Sequence, residues 1–349
     1  DNDKDGLIDE YYTVCNNWGV SSNFHEFAFG LVYKDGFFYG SLATDILPGG
    51  AGAPVQPKDR GHTFKISEKD GSIELIARGL RTPNGIGIGV DGEIFNADNQ
   101  GDWLPCSKIV HITPGAFFGS RAVDFAGSAN LPVKQPVVWL PQDEIGNSPA
   151  TPLAFTDDSP YKGQMMHGEV THGGVKRVFV EKINGEYQGC VFRFTQGLEA
   201  GGNRMVWGPD GALYVGGIGN PGNWRDMNGD KLWYGLQRLK YNGKPTFEML
   251  AVRAKSNGVE IEFTEPLEVG DGWVPTEYQV EQWRYVPTKD YGGPKVDQIR
   301  MKVLSANVSA DRKKVFLELA GMKPQHVIYV RLPYHWASAN GNELWATEG

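Results

Sequence analysis

The feature that most narrows the possible folds is a recurring hairpin. An apolar strand, an Asp-Gly pair and a second apolar strand occur in "LVYKDGFFYGSL", in "IGVDGEIFNADNQG" and in "MVWGPDGALYVGGIGN". Asp-Gly supplies the positive φ angles of a tight two-residue turn, so each copy reads as a β-hairpin. The turns start at Asp35, Asp91 and Asp210, at intervals of 56 (35 to 91) and 119 (91 to 210) residues. The second interval is close to twice the first, so a divergent copy is expected around "KGQMMHGEVTHGGVKRVFVEKINGEY" at 162–187. A strand-built period of about 50–60 residues is that of one four-stranded propeller blade. The alternative is three unrelated hairpins in a sandwich. The spacing favours a β-propeller over residues 1–248. That span holds about four to five blades at this period, so further blades upstream of Asp1 are expected.

From about Ala251 the texture changes. "GVEIEFTEPL", "EYQVEQWRYV", "DQIRMKVLSANVS", "KKVFLELAG" and "HVIYVRLP" are alternating strands at short spacing. They predict an immunoglobulin- or fibronectin-like β-sandwich of about 100 residues over 249–349. No residue in it suggests chemistry, and a spacer or adhesion role is expected. The 46 glycines and 17 phenylalanines suit an all-β chain of short strands.

Charge excludes some partners. A net charge of −8 argues against nucleic acid, which needs a concentrated basic surface. No apolar run is long enough for a transmembrane segment. The chain opens on the charged "DNDKDG", so any leader is expected to have been removed or to lie in a longer precursor. Cys15, Cys106 and Cys190 are far apart and form no CxxC pair, which leaves no zinc ribbon and no CxxCH haem site.

Several segments carry candidate chemistry. "DNDKDGLIDE" places oxygen ligands at Asp1, Asp3, Asp5 and Asp9, with Gly6 at the bend. That is the first part of a calcium loop, but Tyr12 stands where a closing Glu would be. In "GLRTPNGIGIGVDGEIFNADNQGDW", Arg81 and Asn84 precede a strand, and Asp98, Asn99, Gln100 and Asp102 follow the next. Polar groups at strand ends of a β-scaffold are where ligand contacts are expected. "HGEVTHGG" carries His167, Glu169 and His172, a set that could hold a divalent metal although its spacing matches no standard zinc pattern. His25 and Arg81 each stand 10 residues before a turn Asp, and Arg204 stands 6 before Asp210. In a propeller these positions converge at one channel mouth. His25, between Phe24 and Phe27, is either a packed ring or a base able to accept a proton at neutral pH.

"FHEFAFGLVYKDGFFYGSLA" followed by "RGLRTPNGIGIGVDGEIFNADNQG" resembles the soluble quinoprotein glucose dehydrogenase and sorbosone dehydrogenase superfamily. "TPGAFFGSR", "THGGVKRVFVEKINGEYQG" and "YGLQRL" are similar to sorbosone dehydrogenase-like propellers of large secreted bacterial proteins that carry a haem domain. The resemblance covers about residues 1–245. It implies a six-bladed propeller binding pyrroloquinoline quinone, often with calcium, in a secreted, periplasmic or cell-surface setting. It implies His25 as catalytic base, Arg81 and Arg204 as cofactor contacts, and an electron-acceptor protein or haem domain as partner. The chain departs from the family in three places. Thr171-His172 stands where the family has a quinone-holding Lys, Thr82 replaces the usual Asn, and "DNQGDW" replaces "HGPxGGDE". Three functions follow as expectations. The first is a sugar-directed oxidoreductase. The second is a carbohydrate lyase or hydrolase using His25, His167 and His172 as bases or around a metal. The third is a glycan-binding propeller, for which the 10 Trp offer stacking faces.

Overall fold

The structure is a computed structural model that describes residues 1–219 and 233–349. Its first three sheets are consecutive four-stranded antiparallel meanders. Blade one comprises β1 (Ala28–Lys34), β2 (Phe37–Leu42), β3 (His62–Ser67) and β4 (Ile73–Arg78). Blade two comprises β5 (Gly85–Ile88), β6 (Ile94–Asp98), β7 (Ser107–His111) and β8 (Val138–Leu140). Blade three comprises β9 (Pro149–Ala154), β10 (Met165–Glu169), β11 (Val175–Ile183) and β12 (Glu186–Thr195). Blade four has three described strands, β13 (Gly201–Trp207), β14 (Leu213–Ile218) and β15 (Tyr234–Leu239). The strands β1, β5, β9 and β13 pack against one another in that order, so the first strand of each blade is the innermost. This is the architecture of a β-propeller.

Turn chemistry sets the hairpins. Asp35-Gly36 (φ 52° and 82°) joins β1 to β2, and Asp91-Gly92 (φ 55° and 71°) joins β5 to β6, both pairs in the left-handed region that this dipeptide tolerates. Blade three departs from the pattern. Its first two strands are joined by the longer segment 155–164, and its tight Asn184-Gly185 turn lies between the outer strands instead.

Each inter-blade core is built by strand alternation. Ile76, Leu80, Ile86, Ile94 and Val110 pack between blades one and two. Phe95, Ala97, Ile109, Met165 and Val178 pack between blades two and three. Met166, Val175, Met205, Leu213 and Val215 pack between blades three and four. Met165 and Met166 are adjacent on β10 and enter different cores, as a period of two requires.

The remaining strands form two sheets. One has the order β16 (Met249–Lys255), β17 (Gly258–Phe263), β21 (Lys314–Leu319), β20 (Val303–Val308). The other has the order β19 (Val296–Arg300), β18 (Gln279–Arg284), β22 (Val327–Arg331). Their core includes Ile261, Val280, Val315, Leu317 and Trp336, and it also takes in Phe179 and Phe192 of blade three. Arg177 of β11 lies 2.8 Å from Glu248, and both side chains are almost fully buried. The C-terminal sheets are therefore packed onto blade three rather than held on a free tether.

Candidate functional site

The innermost strands begin at one end of the propeller, and the second strand of each hairpin ends there. His25 lies just before β1, Arg81 to Asn84 before β5, and Arg204 near the start of β13. Asp98 closes β6, and the turn 170–174 follows β10. The sequence places Arg204 before its strand; the structure places it within β13, opposite Gly216.

His25 Nδ1 is 2.8 Å from the Thr44 carbonyl oxygen. A carbonyl only accepts, so Nδ1 carries the proton and Nε2 is left with its lone pair. Nε2 lies 3.3 Å from the Thr82 hydroxyl, which accepts from Arg81 Nη1 at 2.9 Å. Thr82 therefore accepts a hydrogen bond from the cation and donates one to the ring. Burial pushes the His25 pKa below its usual value, the Thr44 carbonyl opposes this, and the Arg81 charge adds to it. The ring also stands edge-on to Phe27 at 5.3 Å and Phe24 at 6.3 Å, but both phenylalanines are exposed. A cleft of about 670 Å³ lined by Asn23, Phe24, Asp45 and Ile46 flanks this position rather than containing the imidazole.

Arg81 is 5 % exposed. Its backbone N–H and that of Thr82 donate to the Asp98 carboxylate, which lies opposite Lys108 in the β6–β7 ladder. Burial pushes Asp98 up to about 6, against the Lys108 charge and the two amides, and pushes Lys108 down to about 8. Asp98 thus fixes the turn that aims Arg81. Nη2 donates to the Gly50 carbonyl, and Nε is buried with no partner. A Cβ at Gly101 would collide with the Arg81 stem, and one at Gly50 would crowd Nη2 and the Tyr291 ring.

A second cation joins through Asn84. Arg204 Nη1 donates to Asn84 Oδ1 at 3.2 Å and to Asn203 Oδ1 at 3.0 Å, and Asn84 Nδ2 donates to Asn203 Oδ1 at 3.0 Å. The Arg204 guanidinium lies 5.9 Å from the Phe29 ring centre. Because Asn84 N donates to the Thr82 carbonyl, His25, Thr82, Arg81, Asn84 and Arg204 form one continuous polar row. Asn99 adjoins it: its N–H faces the Thr82 carbonyl, its amide reaches Ser148 at 3.5 Å, and its Oδ1 is buried without a partner.

Other candidates lie apart from the row. Gln100 N donates to Ser107 Oγ. His172 is off β10, in the following turn, so strand alternation does not govern it; its Nε2 lies 3.9 Å from Asp143. His167 is fully buried, donates from Nδ1 to the Gly168 carbonyl, and is pushed by burial down to about 4. The Glu169 carboxylate accepts from the N–H groups of Asn147, Ser148, Thr171 and His172, so it ties loops together. Among the described residues, one group of His, Cys, Asp or Glu atoms lies close enough to share a metal: Asp1, Asp3 and Asp9, all exposed and within 4.8 Å of one another. Asp5 is outside it and accepts from the Leu7 N–H. Tyr291 and Gly50 carry no signal in the sequence, because nothing there shows which turn meets Arg81.

Fold and site together define a class: a β-propeller with a polar, doubly cationic channel end. No protein-family model matches the chain, and no characterised protein matches it in sequence. Solved structures do. An oxidoreductase described as a glucose dehydrogenase from Thermus thermophilus is 19 % identical, with 58 % of this chain and 61 % of that one covered and a TM-score of 0.42. The pyrroloquinoline quinone-bound aldose sugar dehydrogenase of Streptomyces coelicolor is 15 % identical, with 58 % of each chain covered and a TM-score of 0.40. A further glucose dehydrogenase is 14 % identical, with 59 % and 61 % covered and a TM-score of 0.41. The chain spans about three-fifths of the length of these structures.

Proposed function

We propose that the protein is a sugar-directed oxidoreductase acting at this end of the channel, with 1–248 as the catalytic propeller and 249–349 as an appended sandwich. The observation that carries the reading is the His25–Thr82–Arg81 contact. It leaves one imidazole nitrogen unprotonated beside a cation, which is what removing a hydroxyl proton requires. His25 Nε2 takes that proton from a hydroxyl or lactol of the sugar. Arg81, Asn84 and Arg204 are the groups that would hold the anionic groups of a cofactor, and Gly101 leaves room for the Arg81 stem whose Nε has no partner. Pyrroloquinoline quinone, as named for the Streptomyces enzyme, carries such anionic groups and would supply the acceptor for the sugar's hydride, which carries both electrons, while the proton goes to His25. Calcium at Asp1, Asp3 and Asp9 belongs to the proposal as a structural ion. So does a secreted or periplasmic location, with a protein or haem domain as electron acceptor. No helix among the described residues is long and apolar enough to cross a membrane.

The test is aldose-dependent reduction of a dye acceptor after adding the quinone and calcium. Wild type is expected to turn over. His25→Gln is expected to lose about 10²–10⁴-fold of that rate with an unchanged melting curve. No sugar-dependent reduction in wild type, with the quinone shown not to bind, would refute the reading.

A further inference from the structure

The turn joining β18 to β19, residues 285–295, leaves the C-terminal sheets and lies across the propeller beside Arg81. Thr288 O accepts from the Trp103 N–H at 2.7 Å, Gly292 N donates to Gly101 O at 3.1 Å, and Gly293 N donates to Pro105 O at 2.8 Å. Asp102 and Tyr291 form an antiparallel bridge. Both ends of the turn are also tied: the Tyr285 ring lies 5.1 Å from that of Trp139, and Lys295 Nζ lies 2.5 Å from Glu144. This segment sets the Tyr291 ring 4.9 Å from Arg81 Cζ. Arg81 is 5 % exposed, and beside the ring its guanidinium also meets the Gly50 carbonyl, the Thr82 hydroxyl and the Gly101 backbone.

We propose that Tyr291 is a positioning residue of the anion-binding site. Its ring pins the Arg81 guanidinium in one plane and keeps water from it, so that Arg81 presents its free N–H groups in a fixed direction toward an anionic ligand. The C-terminal sheets then complete the site instead of serving only as a spacer. Stacking on an aromatic face is a mode of holding Arg that needs the ring and not the hydroxyl. The inference rests on the reading of Arg81 as a ligand-binding cation, and its test has an arm that does not depend on that reading.

The full chain is labelled with ¹⁵N, and the Arg81 Nε–H resonance is identified by its loss in Arg81→Lys. Its exchange with solvent is compared in wild type, Tyr291→Phe and Tyr291→Ala. Slow exchange is expected in wild type and Tyr291→Phe, and exchange about tenfold faster or more in Tyr291→Ala. With pyrroloquinoline quinone as the probe, Tyr291→Phe is expected to bind within about twofold of wild type and Tyr291→Ala about tenfold more weakly. Unchanged exchange in Tyr291→Ala overturns the proposal, as does wild-type affinity in that variant, or Tyr291→Phe failing as badly as Tyr291→Ala. If wild type does not bind the quinone, the proposed function falls, and the exchange comparison alone decides the role of Tyr291.

Discussion

Two histidines, one half-buried and one sealed, illustrate how burial sets what a ring can do. His25 keeps one nitrogen available, whereas His167, two residues from Glu169, is sealed and held neutral by burial. Its folded pKa of about 4 lies below the ordinary value of 6.5. The unfolded chain therefore binds the proton more readily between those values, and the contribution of His167 is fully present above about pH 6.5 and lost as pH falls toward 4. Urea unfolding at a series of pH values is expected to show an acid loss of up to about 3 kcal/mol from this group. His167→Asn should flatten that part of the dependence; an unchanged slope would show that His167 is not the group responsible. Arg81 and Asn84 were legible from their place before a strand, whereas Arg204, expected there too, lies within β13. The hydroxyl of Thr82 as link to His25 was not legible, because a contact between adjacent blades depends on how strand ends converge, which spacing alone does not specify.

At the scale of elements, the hairpins at Asp35-Gly36 and Asp91-Gly92 were the most legible part, since Asp-Gly and alternation fix turn and register together. At Asp210-Gly211 only the glycine is left-handed, and the strands close through the longer segment 208–212. Blade three was the least legible, because its tight turn lies between its outer strands and its inner hairpin closes through the longer segment 155–164. The reach of β11 into the C-terminal core was also hidden. Arg177 reads as an ordinary strand cation, yet it meets Glu248, Gln164 and the carbonyls of Met249 and Leu250 in a buried network. Glu248→Ala leaves that cation buried without its carboxylate and is expected to cost about 3–5 kcal/mol in urea unfolding. The double variant Arg177→Met with Glu248→Leu should recover most of this loss. A cost below about 1 kcal/mol for Glu248→Ala would mean that water reaches the pair.

Over the whole molecule, the sequence correctly indicated an all-β chain of propeller blades. What it could not indicate is that C-terminal sheets expected as a spacer reach back to Arg81, since that depends on packing between distant segments. Calcium is expected to raise the melting temperature modestly through Asp1, Asp3 and Asp9, and Asp3→Ala to abolish the rise; equal shifts in both proteins would place the ion elsewhere. The role of His25 is tested most directly by the pH dependence of sugar turnover. In the proposed mechanism neutral His25 is the active form, so activity is expected to fall on the acid side with a midpoint below 6.5, because burial, opposed by the Thr44 carbonyl and aided by the Arg81 charge, holds its pKa down. Arg81→Gln removes that charge, and the midpoint should then move upward toward 6.5. An acid limb whose midpoint is the same in Arg81→Gln as in wild type would contradict the placement of His25 as the proton acceptor beside Arg81.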